Sequence, residues 1–379
     1  MSLSRREFLI KLGLGTAVAL ANPIGTAKQA YAMGCRPSNL PVLSLEEKMQ
    51  IAKEKGFSLT DIVTKYCNDY FYPADPTDSK KEKEEKESKR KEKLTRVQYF
   101  EDNWELCNDL DEITLLPGGT FYSLYGTESD FNQSCVSDAQ AFSIAQLMPS
   151  SVDELNRIYK DRFKPIIEDF FDVEKLKDLK FEDYKDSLES NDFSKFGFSR
   201  EKYLSSWWFN NGNVYPDEVL YVILPAYIKF KEILGDKWDE NNQVDESKIK
   251  ADKDYAAYCG AAHFLSYYLH MSALQWIVTG KDDEGKKKGK WIYRPRSHFD
   301  KNPQTQAFDF LDVVAAYNKG LGQIKKDYAK LAKDDKYMAL WANVQETNIH
   351  RGRFREYQQI YNIIQKALSD FVADPSTHD

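Results

Sequence analysis

The sequence predicts a mainly α-helical fold, a helical bundle-like globular domain. Three observations support it. Capping boxes, in which a serine is followed three residues later by a glutamate, open predicted helices at Ser44 and Ser151. Apolar residues recur at helical spacing after the second box. Residues 254–279 are apolar on nearly every face, which is typical of a helix buried on all sides.

The elements before residue 100 are a short helix and a charged segment. The box at Ser44 predicts a helix that Gly56 ends. Residues 76–95 are a charged insertion, in which thirteen of the fourteen residues from 80 to 93 carry a charge. Because this segment is too polar to bury and mixed in sign, we predict a solvated helix or a mobile insertion.

Two further elements follow along the chain. Residues 115–131 contain Pro117-Gly118-Gly119 and several aromatic side chains, and predict a short irregular or hairpin region packed over the core. A last long helix is predicted at about 337–373, with a core face that includes Tyr357 and Ile364.

The first residues have the three ordered regions of an export signal. These are the paired arginines with two apolar neighbours, a weakly apolar stretch and a small-residue cleavage pattern: Arg5-Arg6 with Phe8-Leu9, Leu12 to Ala21, and Ala30-Tyr31-Ala32. Residues 1–32 resemble the twin-arginine (Tat) family of bacterial signal peptides. The resemblance implies the twin-arginine export machinery as a partner, a periplasmic location, and passage across the membrane after folding, often with a cofactor already inserted.

A competing interpretation takes Met33-Gly34-Cys35 as a lipidation box that would anchor the mature chain to a membrane at Cys35. The apolar region lies too far upstream for this, and Ala32 replaces the usual large aliphatic residue. No later stretch reaches the roughly eighteen consecutive apolar residues of a spanning helix. We therefore expect residues 33–379 to form a single soluble α-helical domain.

Charge and cysteine content exclude several classes of function. Removal of residues 1–32 leaves 49 basic and 59 acidic residues, a formal charge of −10, which disfavours nucleic acid as a partner. The five cysteines are too sparse for a disulfide scaffold, and no Cys-x-x-Cys pair suggests a thiolate zinc site or an iron–sulfur cluster. We predict one disulfide among Cys67, Cys107 and Cys135, because Cys259 lies in a strongly helical segment.

Two polar stripes on buried helices form the candidate site. The stripe on helix 254–279 spans about 80° and consists of Cys259, His263, Ser266, Tyr267 and His270. The core face of the last helix turns polar towards its N-terminus, where it carries Asn343, Glu346, His350 and Arg353, and its solvated face includes Arg351.

The spacing of these residues predicts a metal site. Glu346 and His350 lie four residues apart, and His263 and His270 lie two turns apart, so facing helices would bring four ligands to one ion. Such ligands suit zinc, iron, copper or manganese, or haem. Tyr267 is predicted to donate a proton or hydrogen bond, and Arg353 to pair with a substrate anion. The alternative is a hydrogen-bonded core network.

Two functional hypotheses follow. The sequence contains no Gly-x-Ser-x-Gly elbow, phosphate-binding glycine loop or dinucleotide fingerprint, which disfavours serine hydrolases and nucleotide-dependent enzymes. The first hypothesis is a periplasmic metal- or haem-dependent enzyme, an oxidoreductase. The second is a cofactor-free periplasmic binding protein for a small molecule, or an envelope-associated protein, whose polar stripes stabilise the core.

Overall fold

The computed structural model describes residues 43–70, 78–176, 179–190, 192–206, 216–237, 243–285, 287–294, 306–308, 310–333 and 345–373. This part of the chain is mainly helical, which confirms the predicted fold class, and it includes a small antiparallel sheet. The predicted signal at residues 1–32 and the cysteine at position 35 lie outside the described residues. Among the described helices, none is long and apolar enough to cross a bilayer.

The chain divides into two compact units, residues 1–131 with 353–379 and residues 132–352. The prediction of one domain over residues 33–379 stays a prediction. The first five helices of the described residues belong to unit 1 and are α1 (Leu45–Glu54), α2 (Leu59–Tyr70), α3 (Lys80–Glu101), α4 (Trp104–Thr114) and α5 (Thr120–Ser129).

Unit 2 begins with helices that are short and partly interrupted. They are α6 (Pro149–Arg157), a π-helical segment at Ile158–Phe163, α7 (Lys164–Phe170), α8 (Val173–Leu176), α9 (Phe181–Ser190), a 3₁₀ turn at Ser194–Phe196 and α10 (Arg200–Ser205). Next come α11 (Pro216–Glu218), a second π-helical segment at Val219–Ile223, α12 (Leu224–Leu234), a 3₁₀ turn at Gly235–Lys237 and α13 (Glu246–Ala251).

The rest of unit 2 contains its longest buried helix and the sheet. In order these are α14 (Lys253–Ser272), β1 (Leu274–Lys281), β2 (Lys287–Tyr293), β3 (Gln306–Ala307), α15 (Phe310–Lys319) and α16 (Leu321–Lys333). The sheet has the order β2-β1-β3, and both pairs are antiparallel. The last helix, α17 (Gln345–Ala373), contributes its residues up to Gly352 to unit 2 and those from Arg353 to unit 1.

Local capping explains where the first helices start. Ser44 and Glu47 form the predicted capping box, and Gly56 follows α1 with a positive φ of 81°. A second box at Ser79 and Glu82 opens α3. The charged segment is therefore a helix, and most of its side chains from residue 80 to 93 are exposed. Of the two predicted alternatives, this is the solvated helix.

Close packing against glycine fixes α17 in unit 1. A Cβ atom at Gly126 of α5 would overlap the ring of Tyr357, and one at Gly119 would overlap the ring of Tyr361. These rings therefore reach the backbone of unit 1 at positions where a larger residue has no room. The predicted core face of the last helix is confirmed, since Tyr357 and Ile364 are fully buried.

Helix α14 is the buried helix of unit 2. From Tyr255 to Met271 it is buried at all but three positions, and it packs against α12, α13 and α15. Asp252 caps its N-terminus by accepting a hydrogen bond from the Tyr255 N–H at 3.0 Å. This places the predicted polar stripe inside unit 2.

Two of the predicted elements are wrong in part. In the region 115–131, predicted as irregular or a hairpin, residues 120–129 form α5. Its N-terminal cap comes from the preceding helix, because the Asp111 carboxylate accepts from the N–H groups of Gly119 and Phe121 at 2.6 and 3.1 Å. The helix predicted at 254–279 ends at Ser272, since the β-branched residues that follow pair with β2 in a hairpin.

Three finer predictions also need correction. Helix α6 begins at Pro149, two residues before the predicted box at Ser151, because proline is well suited to a first helical position. Arg351 was expected on the solvated face of the last helix, yet it is 2% exposed because it forms an ion pair with the buried Asp312. Both Cys107 and Cys135 are thiols, so the predicted disulfide among them and residue 67 is not formed.

Candidate functional site

His263 is a deeply buried histidine of the polar stripe on α14. Its side chain is 2% exposed, and its ring lies 4.7 Å from the Tyr267 ring and 5.4 Å from the Tyr317 ring, measured between centroids. Within the described part of the chain, its Nδ1 atom has no hydrogen-bond partner. Burial lowers the pKa of His263 to about 4, so the imidazole is neutral at pH 7.

Tyr267 is held by a carboxylate from α6. Its hydroxyl donates to Glu154 Oε2 at 3.2 Å. Burial, and then the negative charge of Glu154, raise the pKa of Tyr267 well above its ordinary value. The hydroxyl therefore stays protonated and donates its hydrogen bond to Glu154, and the predicted role of Tyr267 as a donor to a substrate stays a prediction.

His270 lies one turn further along α14 and contacts strand β2. Its Nε2 atom is 3.0 Å from the hydroxyl of Tyr293, and the two rings meet edge to face at 5.2 Å. The pKa of His270 is lowered by burial first, and further by the positive charges of Lys325 and Arg162. The neutral imidazole thus shares its surroundings with two cations.

Arg162 and Lys325 lie on two elements that are far apart in the sequence. Arg162 lies in the first π-helical segment, and its Nη2 atom is 2.5 Å from Oε1 of Glu218; the Arg162 side chain is 42% exposed and that of Glu218 6%. Lys325 lies in α16 and is partly buried. Burial and the repulsion of Arg162 lower the pKa of Lys325, whereas the charge of Glu218 acts in the opposite direction.

Arg162 forms an ion pair with Glu218. The ammonium of Lys325 forms no hydrogen bond or ion pair within the described residues. We call the five residues Arg162, Glu218, His270, Tyr293 and Lys325 the polar cluster. They come from five separate segments of unit 2.

Proline explains the local backbone that carries Arg162 and Glu218. Pro165 and Pro225 lack an N–H and would clash with the carbonyl four residues earlier in a regular helix. In each case the preceding turn is widened: Lys164 N–H bonds to Tyr159 O, and Leu224 N–H bonds to Val219 O, both five residues back. Such π-helical turns are frequent at functional sites, and here Arg162 lies in the first of them and its partner Glu218 directly precedes the second.

The four predicted metal ligands have different neighbours in the part that is described. His263 contacts two tyrosine rings, and His270 contacts Tyr293. His350 is partly buried in α17, and the side chain of the residue at 346 lies outside the described side chains. Among the described side chains, no three His, Cys, Asp or Glu residues are placed to hold one ion. The four-ligand site with Glu346 stays a prediction.

Arg353, predicted to pair with a substrate anion, lies in unit 1 and already has a carboxylate partner. Its Nη2 atom is 3.1 Å from both carboxylate oxygens of Asp130 and 3.3 Å from Gly126 O. Asp130 also accepts a hydrogen bond from the Tyr357 hydroxyl. The arrangement ties α17 to the end of α5 within unit 1.

The sequence reasoning missed Arg162, Glu218 and Lys325. No spacing rule links them, because they lie on three separate elements that are far apart in the sequence. The one local signal was a proline within each of two otherwise helical apolar segments, at positions 165 and 225.

No known protein family, curated protein or solved structure matches this chain.

Proposed function

We propose that unit 2 binds a small organic anion at the polar cluster, and that the protein is a cofactor-free periplasmic binding protein. The observation that carries the proposal is that the positive charges of Arg162 and Lys325, which lie on two separate elements of unit 2, both act on the neutral His270. Of these two cations, Lys325 makes no hydrogen bond or ion pair within the described residues.

The physical argument is electrostatic. The positive charge of Arg162 disfavours the charged form of Lys325, and the partial burial of Lys325 weakens the screening of this repulsion by solvent and salt, although the Arg162 side chain is 42% exposed. An anion between them would remove this cost and give Lys325 a hydrogen-bond acceptor. The guanidinium of Arg162 and the ammonium of Lys325 are the donors that carboxylates and similar oxyanions prefer.

Titration with acetate tests the binding proposal. We expect acetate to bind the mature protein, and Lys325→Met to weaken binding by about tenfold or more, since one of two cationic contacts is lost. Lys326→Met is the matched control, because it removes the same charge from the exposed neighbouring position of α16. Equal affinities for the parent and both variants, or no binding by the parent, would overturn the proposal.

The proposed location rests on the paired arginines of the signal segment at residues 1–32. Replacing Arg5 and Arg6 together by lysine should retain the precursor in the cytoplasm, because the arginine pair is the specific part of the signal. Lys28→Gln changes the charge of the same segment without touching the pair and should leave export intact. Cell fractionation measures both, and export of the double variant would contradict the proposal.

A metal- or haem-dependent oxidoreductase is the second candidate function, and His263 is the observation that favours it. A buried imidazole with an unbonded Nδ1 atom is chemically suited to a transition metal. Arg162 and Lys325 would repel a metal cation at His270, so this candidate relies on His263 with Glu346 and His350.

Elemental analysis and an absorption spectrum of protein from the exported fraction distinguish the two functions. Zinc, iron, copper or manganese near one equivalent, or a Soret band, would support the second candidate. Less than about a tenth of an equivalent, with no Soret band, would remove it.

A further inference from the structure

The segment that follows α5 contains an acceptor motif for asparagine-linked glycosylation. The motif is an asparagine followed two residues later by serine or threonine, with any residue except proline between them. Asn132-Gln133-Ser134 has this pattern, and no other part of the sequence does. The match alone is weak evidence, because so short a pattern also arises by chance. Its placement in the fold is therefore decisive.

The motif lies in a surface loop. Residues 130–148 connect α5 to α6 and contain no helix, and residues 132 and 134 are both exposed. Glycosylated asparagines lie in surface loops, because an attached oligosaccharide is bulky and solvated. The resemblance of residues 1–32 to a twin-arginine signal implies export after folding, so a modified residue must be accessible in the folded chain. Asn132 meets this requirement.

The middle residue of the motif, Gln133, ties the motif to the body of unit 2. Its Nε2 atom donates to the carbonyl oxygen of Ile249 at 2.7 Å, and its Oε1 atom accepts from the Ile144 N–H at 3.3 Å. The residues on either side of Gln133 are exposed. The motif is therefore held on the surface by its own middle side chain, with the acceptor asparagine and the hydroxyl residue accessible to a second protein.

The hydrogen bonding of Asn132 suits its amide to act as a nucleophile. Its Oδ1 atom accepts a hydrogen bond from the Ser134 N–H at 3.0 Å, which forms an Asx turn. A donor on the amide oxygen draws electron density from the amide group and makes the Nδ2 protons easier to remove. The turn thus directs the reactive nitrogen and the Ser134 hydroxyl from one short exposed segment.

We propose that Asn132 carries an N-linked oligosaccharide in the exported protein. The donor class is an oligosaccharide joined through a diphosphate to a polyprenyl lipid, and an oligosaccharyltransferase outside the cytoplasm catalyses the transfer. The Nδ2 atom of Asn132 attacks the anomeric carbon, and the new N–C bond replaces the bond from that carbon to the phosphate oxygen. The lipid diphosphate leaves, and a base of the transferase takes the amide proton. The Ser134 hydroxyl is the hydrogen-bonding group by which the transferase recognises the acceptor.

Mass spectrometry of the mature protein, purified from the exported fraction of its native host, tests the proposal. We expect an intact mass that exceeds the mass of the unmodified chain by a whole number of sugar residues. Peptide mapping should place this increment on Asn132. An exported parent with no sugar, or with sugar on another residue only, would overturn the proposal, and this measurement needs no variant.

Three variants test the motif itself. Asn132→Gln removes the acceptor and Ser134→Ala removes the hydroxyl, so both should abolish the increment, whereas Ser134→Thr keeps a hydroxyl and should retain it. Asn108→Gln is the matched control, because Leu110 follows this asparagine two residues later and the motif is absent there. An increment that persists in Asn132→Gln, or that is lost in folded Ser134→Thr, would contradict the assignment.

The inference uses the proposed location of the protein and is independent of anion binding. An unmodified parent in the exported fraction would remove the oligosaccharide and leave the proposed location and the anion site unaffected. A parent retained in the cytoplasm would contradict the location and the modification together. Acetate titration reports on the anion site in either case.

Discussion

Replacing His263 by phenylalanine should change how the stability of the protein depends on pH. The imidazole is 2% exposed and its pKa in the folded protein is about 4, against an ordinary value of 6.5. Between these two values the unfolded chain binds a proton at His263 that the folded chain does not bind. Lowering the pH through this window therefore destabilises the parent, and the phenylalanine variant escapes this loss.

The magnitude follows from the two pKa values. At pH 7 the unfolded state binds only about a quarter of a proton at His263 and the folded state binds essentially none, whereas at pH 5 the unfolded state binds almost one proton more than the folded state. Linkage gives a relative gain for the variant of about 2 kcal/mol between pH 7 and pH 5. The packing cost of the larger ring and the benefit of removing an unbonded Nδ1 are the same at both pH values, so they cancel from this difference.

Urea unfolding of parent and variant, followed by far-ultraviolet circular dichroism at pH 5, 6 and 7, measures the effect. Tyr317→Phe is the matched control, because its ring neighbours His263 but does not titrate in this range. We expect the control to shift stability equally at all three pH values. A difference between His263→Phe and the parent that is constant from pH 7 to pH 5 would refute the reasoning.

Three further predictions concern side-chain contacts inside one or the other unit. Arg351→Met leaves the carboxylate of Asp312 buried without this ion pair and should lower the free energy of unfolding by about 3–5 kcal/mol; a loss below about 1 kcal/mol in urea unfolding would contradict this. Gly126→Ala places a methyl group against the Tyr357 ring and should cost roughly 1–3 kcal/mol, whereas an unchanged melting temperature would show that the ring yields freely. Asp111→Ala removes the acceptor of two buried N–H groups at the start of α5 and should cost roughly 1–3 kcal/mol; protected amide exchange across α5 in this variant would argue against the cap.

The sequence predicted most of the helices because their signals are local. The box at Ser44 and the core face through Tyr357 and Ile364 depend on residues within one or two turns, and both are confirmed. Helix α5 was missed because its N-terminal cap is supplied by Asp111 from the preceding helix. The hairpin was missed because the apolar run continues unbroken from α14 into β1, so periodicity alone gave no boundary at Ser272.

Of the candidate site, only the polar stripe on α14 could be predicted from the sequence. The stripe with His263, Tyr267 and His270 follows from helical spacing, and the structure places it inside unit 2. Its partners do not follow from spacing, because Arg162 and Lys325 reach the cluster from segments more than 50 residues away in sequence. Long-range charge pairing of this kind has no local signature in a single sequence.

Anomalous diffraction from crystals of the mature protein soaked in iodide tests the central claim most directly. Iodide is a singly charged anion that diffraction locates without ambiguity. The proposed function predicts an iodide peak in contact with the ammonium of Lys325 and near the guanidinium of Arg162, lost in Lys325→Met and displaced by excess acetate. Iodide bound elsewhere, with none at Lys325, would contradict the claim that this cluster is an anion site.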